Sequence, residues 1–180
     1  EAKDEYTDGH TRRVGSLSRL LGEKLGISES RMQYLEISGI IHDIGKVGVS
    51  ESILNKPGKL TDEEFDIMKK HTIIGENICR PLNCLKNCLD PVRHHHEKLN
   101  GTGYPDGLKG DDISLEARII AVADIFDALH SKRPYRDKLS LDKVRQILVE
   151  ETNKGCLDMN VVNALFELLD TNRLSTIIED

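Results

Sequence analysis

One segment of this 180-residue chain cannot lie at a surface. It is SLEARIIAVADIFDALHSK, from Ser114 to Lys132. Ser114 is a helix cap, and Ile119, Ile120, Val122, Ala123, Ile125, Phe126 and Leu129 then make the helix apolar almost all round. A helix of that kind has to be enclosed by other elements. No apolar run approaches the roughly 20 residues that would let a bilayer do the enclosing. The rest of the chain must therefore supply a shell. Asp124 stands among the apolar residues. A carboxylate there is costly unless it is paired or binds a metal.

The remaining segments read as that shell. A first helix spans about Thr7 to Leu25, with Val14, Leu17, Leu21 and Leu25 as its stripe and Gly26 as its stop. Ser28 opens a second that ends near Gly45 and carries Met32, Leu35, Ile40, Ile41 and Ile44. Thr61 to Glu64 is a capping box, and the helix behind it turns Phe65 and Met68 to the core and reaches His71. A helix from Ile73 to Cys79 follows, and Pro81 or Pro91 starts one that ends in a histidine run. Two amphipathic packing helices, about Ser140 to Asn153 and Asp158 to Asp170, complete the set, with a fraying tail beyond Thr171.

No period-2 strand and no repeat is present, so the expected fold is all-α, one helical bundle over 1–180 with its core over about 6–170. The chain starts at Glu1 and not Met, which points to a domain excised from a longer protein or to a processed chain. No signal peptide is seen. Cys79, Cys84, Cys88 and Cys156 lack CxxC spacing and read as buried or semi-buried free thiols of a reducing, cytoplasmic setting. A net charge of -6 gives no case for a nucleic-acid polymer or a membrane surface. A phosphate-bearing ligand would have to be met by local cations or by metal ions.

The segment RHHHEKLNGTGYP, Arg93 to Pro105, is the second constraint. Consecutive helical residues point about 100° apart, so three histidines in a row cannot serve one face. The Gly and Pro residues behind them set an irregular loop that brings Tyr104 close to whatever the histidines hold. His10, His42, Asp43, His71, two of His94 to His96, and Asp124 all fall in apolar contexts and come from at least five separate helices. That is how metal centres in helical bundles are built. Seven donors exceed one ion's needs, so two ions are expected, with Asp43 as the bridge. Such a donor set suits iron, manganese, zinc, nickel or cobalt. Two such ions acidify a bridging water, neutralise a phosphate and orient in-line attack. Lys46, Arg133 and Arg136 would add positive charge. Singly, each residue has a plainer explanation. His10 or His71 could be a hydrogen-bonded core histidine, and Asp124 could pair with Arg118 or Lys46.

These residues resemble the HD-GYP domain family. The resemblance is carried by YTDGHTRRV around His10, HDIGK from His42, the isolated His71, HHEKLNGTGYPDGLKG from His95, and ADIFDALHSKRPYR around Asp124. It implies an all-α bundle with His10, His42, Asp43 and Asp124 on one metal and Asp43, His71, His95 and His96 on the other. Iron or manganese is implied ahead of zinc, nickel or cobalt. His94 precedes the paired ligands and is not one. Asp43 and Lys46 are implied at the catalytic centre, and Lys46, Gly103, Tyr104, Arg133 and Arg136 at the substrate. The implied reaction is hydrolysis of cyclic di-GMP to linear pGpG, and on to GMP in some members. Implied partners are diguanylate cyclase (GGDEF), receiver or sensor domains, or a second copy in a homodimer, and other domains would provide any membrane tether. Two departures stand out. Tyr6 occupies the position where some members have a Glu for a third metal, so two metals are expected. Asn100 stands where Asp is frequent, a change that keeps a turn-forming residue. Rival readings are a single-metal nucleotide hydrolase, the same machinery acting on cyclic GMP-AMP, and a cyclic di-GMP sensing module.

Overall fold

The structure is a computed structural model and describes residues 9–131 and 137–178. Among the described residues it is all helical, with α1 (His10–Lys24), α2 (Glu29–Ile41), α3 (Glu51–Leu54), α4 (Asp62–Lys69), α5 (His71–Cys79), α6 (Leu89–His94), α7 (Leu115–His130), α8 (Leu141–Asn153), α9 (Met159–Asp170) and α10 (Ser175–Ile178). As its composition demands, α7 is the hub. Ile119, Ile120, Val122, Ala123 and Phe126 are buried, and α1, α2, α6, α8 and α9 pack around it. Leu17, Leu21 and Leu35 from α1 and α2, and Leu148, Leu165 and Leu168 from α8 and α9, fill the core. Each such side chain stabilises the fold by about 1.5–3 kcal/mol through burial. Among the described residues no helix is long and apolar enough to cross a membrane.

The caps form where the residue chemistry allows them. Thr61 and Glu64 make the reciprocal capping box, and Ser114, Ser140 and Asp158 cap α7, α8 and α9 by accepting backbone N–H groups. Ser28 precedes α2 without a side-chain cap bond. Gly26 takes a left-handed φ of 76° and lets the Ile27 N–H reach back to the Gly22 carbonyl.

Three local expectations change. The α-helix α2 stops at Ile41, not near Gly45, and residues Ile44–Gly48 tighten into a 3₁₀ turn. The cause is tertiary. A Cβ on Gly45 would lie 1.8 Å from the His71 carbonyl oxygen and 2.4 Å from the Gly75 nitrogen. The turn is pressed backbone to backbone onto α5, which brings Asp43 and Lys46 beside His71. Second, Phe65 and Met68 are half-buried and not in the core. Phe65 instead meets the Tyr104 ring edge-on at 6.1 Å between centroids. Third, Cys84 is exposed, while Cys79, Cys88 and Cys156 are buried; all four are free. Tyr6, Arg133 and Arg136 lie outside the described residues.

A second close approach aligns α1 with α2. A Cβ on Gly39 would lie 2.9 Å from the Gly15 Cα. Two facing glycines let the helix axes come near enough for His10 and His42 to meet, with ring centroids 5.6 Å apart.

Candidate metal centre

Three of the histidines are held in one way. His42, His71 and His95 each direct Nδ1 at the carbonyl three residues earlier, on Gly39, Met68 and Val92, at 2.8, 2.8 and 2.9 Å. A carbonyl only accepts, so Nδ1 carries the hydrogen and Nε2 is left to face the interior. His10 is oriented by a carboxylate instead. Its Nδ1 lies 2.7 Å from Asp127 Oδ2, and Asp127 is itself held by Arg13.

The inward ends converge on Asp43. His71 Nε2 lies 3.3 Å from Asp43 Oδ1, and His42 Nε2 lies 3.4 Å from Asp43 Oδ2. His71 Nε2 and His95 Nε2 are 3.5 Å apart. One donor atom from each of Asp43, His71, His95 and His96 falls within 4.8 Å of all the others, and the same holds for His10, His42 and Asp43. Asp43 is common to both groups. Asp124 Oδ1 stands 3.4 Å from His10 Nε2 and 3.8 Å from His42 Nε2. Its side chain is not sealed among apolar residues; 16% of its surface is exposed, and its carboxylate faces the histidines. It does not pair with Arg118, which binds Asp158 and Asp111. Lys46 is buried, and its Nζ donates to Asp43 Oδ2 at 2.7 Å.

The protonation states suit metal donors. Burial works against the Asp43 charge, but His42 and Lys46 hold its carboxyl well below the usual range. Burial likewise opposes the Asp124 charge, and the facing His10 and His42 imidazoles hold its carboxyl well below the usual range. Burial, reinforced by His96, lowers His71 to about 4. Burial lowers His96 to about 4 and His95 well below its ordinary value. Neutral imidazoles and ionised carboxylates are the forms that bind cations. His10 and His42 differ. Burial lowers both, but Asp124 and Asp127 raise His10 to about 9, and Asp43 and Asp124 raise His42. Their Nε2 atoms are buried and make no hydrogen bond of good geometry. Two buried imidazole nitrogens aimed at two carboxylates, and favouring a positive charge between them, fit a bound cation.

The loop after the histidines closes the other side. Tyr104 stacks on His96, with centroids 4.8 Å apart and 29° between the planes. A Cβ on Gly103 would lie 2.4 Å from Glu97 Cα and from the Lys98 nitrogen, so the loop needs a glycine to pack there. His94 stands apart from the cluster, with its Nδ1 on Asp90 and its Nε2 on Asp106 at 2.8 and 2.9 Å.

Two residues that sequence reasoning missed hold the centre in place. Asp127 is one, and its signal was its place three residues after Asp124 on the same helix, hence on the same side. Glu97 is the other. It is 4% exposed, and it accepts the N–H groups of Asp106 and Gly107 on Oε1 and of Leu108 on Oε2 at 2.7, 3.0 and 3.0 Å. A Gly- and Pro-rich loop leaves backbone donors without ladder partners, and an adjacent acid is the residue to supply acceptors.

Residues 1–161 match the HD domain family model. The chain belongs to the HD domain family. This HD domain is 44% identical, over 93% of its length, to a cyclic di-GMP phosphodiesterase of Thermotoga maritima, of which it covers 46%. It is 43% identical, over 94% of its length, to 3'3'-cGAMP-specific phosphodiesterase 3 of Vibrio cholerae, of which it covers 37%. The chain thus spans less than half the length of these relatives. The fold of the HD domain is shared with Bd1817, a HDG"Y"P protein from Bdellovibrio bacteriovorus, with a TM-score of 0.72 and 24% identity over 93% of this chain and 55% of that one.

Proposed function

We propose that this HD domain is a metal-dependent phosphodiesterase that hydrolyses cyclic di-GMP to linear pGpG, and in part on to GMP. The observation that carries the reading is Asp43, whose two carboxylate oxygens face two separate histidine groups. His10, His42, Asp43 and Asp124 would hold one ion, and Asp43, His71, His95 and His96 the other, with iron or manganese the best match to a mixed imidazole and carboxylate set. When bound, such a pair supplies charge neutralisation and an acidified water for in-line attack at phosphorus. Lys46 keeps its ammonium beside Asp43 in a buried site, where a charged donor to a phosphate oxygen is strong. Tyr104 walls the site on the His96 side. Buried free thiols support a cytoplasmic setting.

A second substrate, cyclic GMP-AMP, is favoured by one observation, the 43% identity to a phosphodiesterase named for 3'3'-cGAMP. One experiment decides between them. The domain is loaded anaerobically with iron or manganese, its metal content is measured, and each cyclic dinucleotide is followed to its linear and mononucleotide products. The expected outcome is cleavage of cyclic di-GMP with about two ions per chain, lost in Asp43→Ala. Full metal occupancy with turnover of cyclic GMP-AMP alone would move the assignment to that substrate. Full occupancy with turnover of neither would leave a sensing module.

A further inference from the structure

The loop that presents Tyr104 is pinned from two sides. On the side of the histidines, the Tyr104 N–H donates to the His96 carbonyl at 3.3 Å and Glu97 gathers the amides of residues 106–108. On the other side the loop meets the connection between α8 and α9. Asn100 makes that seam. Its Oδ1 accepts from the Thr102 N–H at 3.0 Å and from Thr102 Oγ1 at 2.7 Å, which folds the turn. Its Nδ2 donates to the Lys154 carbonyl at 3.0 Å and lies 3.5 Å from Cys156 Sγ. Lys154 is the C-cap of α8, so this carbonyl is one of those a helix end leaves without an internal partner. The Leu99 N–H donates to the Cys156 carbonyl beside it, at 3.3 Å. Gly155 turns the connection with a left-handed φ of 71°, and a Cβ there would sit 3.5 Å from Asn100 Cβ.

We propose that Asn100 is a positioning residue for the hydrolytic site: its carboxamide shapes the turn before Tyr104 with its acceptor and fixes that turn to the end of α8 with its donor. The inference rests on the phosphodiesterase reading above. It gives α8 and α9, which supply none of the candidate metal donors, a part in the site as the abutment of its loop. A carboxamide, with its acceptor and donor on separate atoms, meets both demands from one short side chain, and an ionised carboxylate has no donor to offer. An aspartate would keep the turn and set a carboxylate against the Lys154 carbonyl, acceptor against acceptor. The asparagine is therefore not merely a turn former. Four residues on, Tyr104 lies against His96, so a shift of the turn reaches the candidate metal donors through a ring stack.

The test compares Asn100→Asp and Asn100→Ala with the parent domain, all loaded with manganese. Metal content, the unfolding midpoint, kcat and KM for cyclic di-GMP, and amide hydrogen exchange over residues 101–108 are measured on the same samples. Both variants are expected to keep their metal and to lose roughly tenfold in kcat/KM, carried mainly by KM, as misplacement of a contact wall requires. Exchange over 101–108 is expected to quicken roughly fivefold, the effect of losing one hydrogen bond of ordinary worth. Parent-like kcat and KM in both variants would overturn the inference, whether or not the unfolding midpoint falls, because a purely structural residue behaves that way. If the parent domain itself cleaves no cyclic dinucleotide, the phosphodiesterase reading fails separately. The exchange data then still decide whether Asn100 pins the loop, and unchanged protection in both variants would refute it.

Discussion

Replacing Gly45 by alanine should dismantle the centre without replacing any candidate ligand. The new Cβ would fall 1.8 Å from the His71 carbonyl oxygen and 2.4 Å from the Gly75 nitrogen. Both are backbone atoms, so no side chain can swing aside. Ordinary contact begins near 3.4 Å, so the 3₁₀ turn and α5 must part by about 1.6 Å. The cost of such overpacking is about 1–3 kcal/mol or somewhat more. The displacement matters further at the site. Asp43 and Lys46 ride on the turn and His71 on α5, and Asp43 Oδ1 now lies 3.3 Å from His71 Nε2. Functional groups need to be held within about 0.5 Å, so a shift of this size should separate the shared carboxylate from the His71 group. The assay is metal content by elemental analysis together with denaturant unfolding. The expected result is a folded protein that is less stable by a few kcal/mol and that has lost at least one ion of its metal complement. Parent-like metal content and stability in Gly45→Ala would refute the argument that this glycine is what brings the two halves of the cluster together.

Other consequences can be checked with the same protein. Glu97→Gln replaces one of two oxygens that together accept three backbone N–H groups, so the loop over 104–108 should lose about 2–4 kcal/mol of local stability, visible as faster amide exchange there, with a roughly 10- to 100-fold loss of activity. Burial lowers the His94 pKa, but Asp90 and Asp106 raise it overall. A raised folded-state pKa stabilises the protein fully below the unfolded value of about 6.5, and that contribution is lost as the pH rises through the folded value. The gap in unfolding midpoint between the parent and His94→Gln should therefore be widest at pH 5–6 and shrink on the alkaline side, as a pH series of thermal melts will show. Stripping the metal with a chelator should lower the unfolding free energy by about 3–4 kcal/mol relative to protein held at 100 to 1,000 times the dissociation constant, and added manganese should restore it.

How much of this was legible in the sequence follows from what each residue costs. The hub position of α7 could be read because seven apolar side chains all round one helix admit no other place. The seven candidate donors could be read because an ionisable group in an apolar segment is expensive, so each demanded an account before any partner was known. Asp127 stands in the same apolar segment, one turn after Asp124, but its place there does not say which group it serves, and only the approach of α1 shows that it orients His10. Glu97 was hidden for the same reason, since acids beside loops are ordinary and its three amide partners are nine to eleven residues away. The end of α2 was misplaced because nothing local stops a helix before Gly45; the stop comes from α5, 26 residues further on at His71. Asn100 shows the limit most sharply. Judged by turn chemistry, Asn and Asp are equivalent there. Judged by what faces them across the fold, one can donate to the end of α8 and the other cannot. Residues that bear a cost announce themselves in a sequence, whereas residues that relieve another group's cost become visible only when the fold brings the two together.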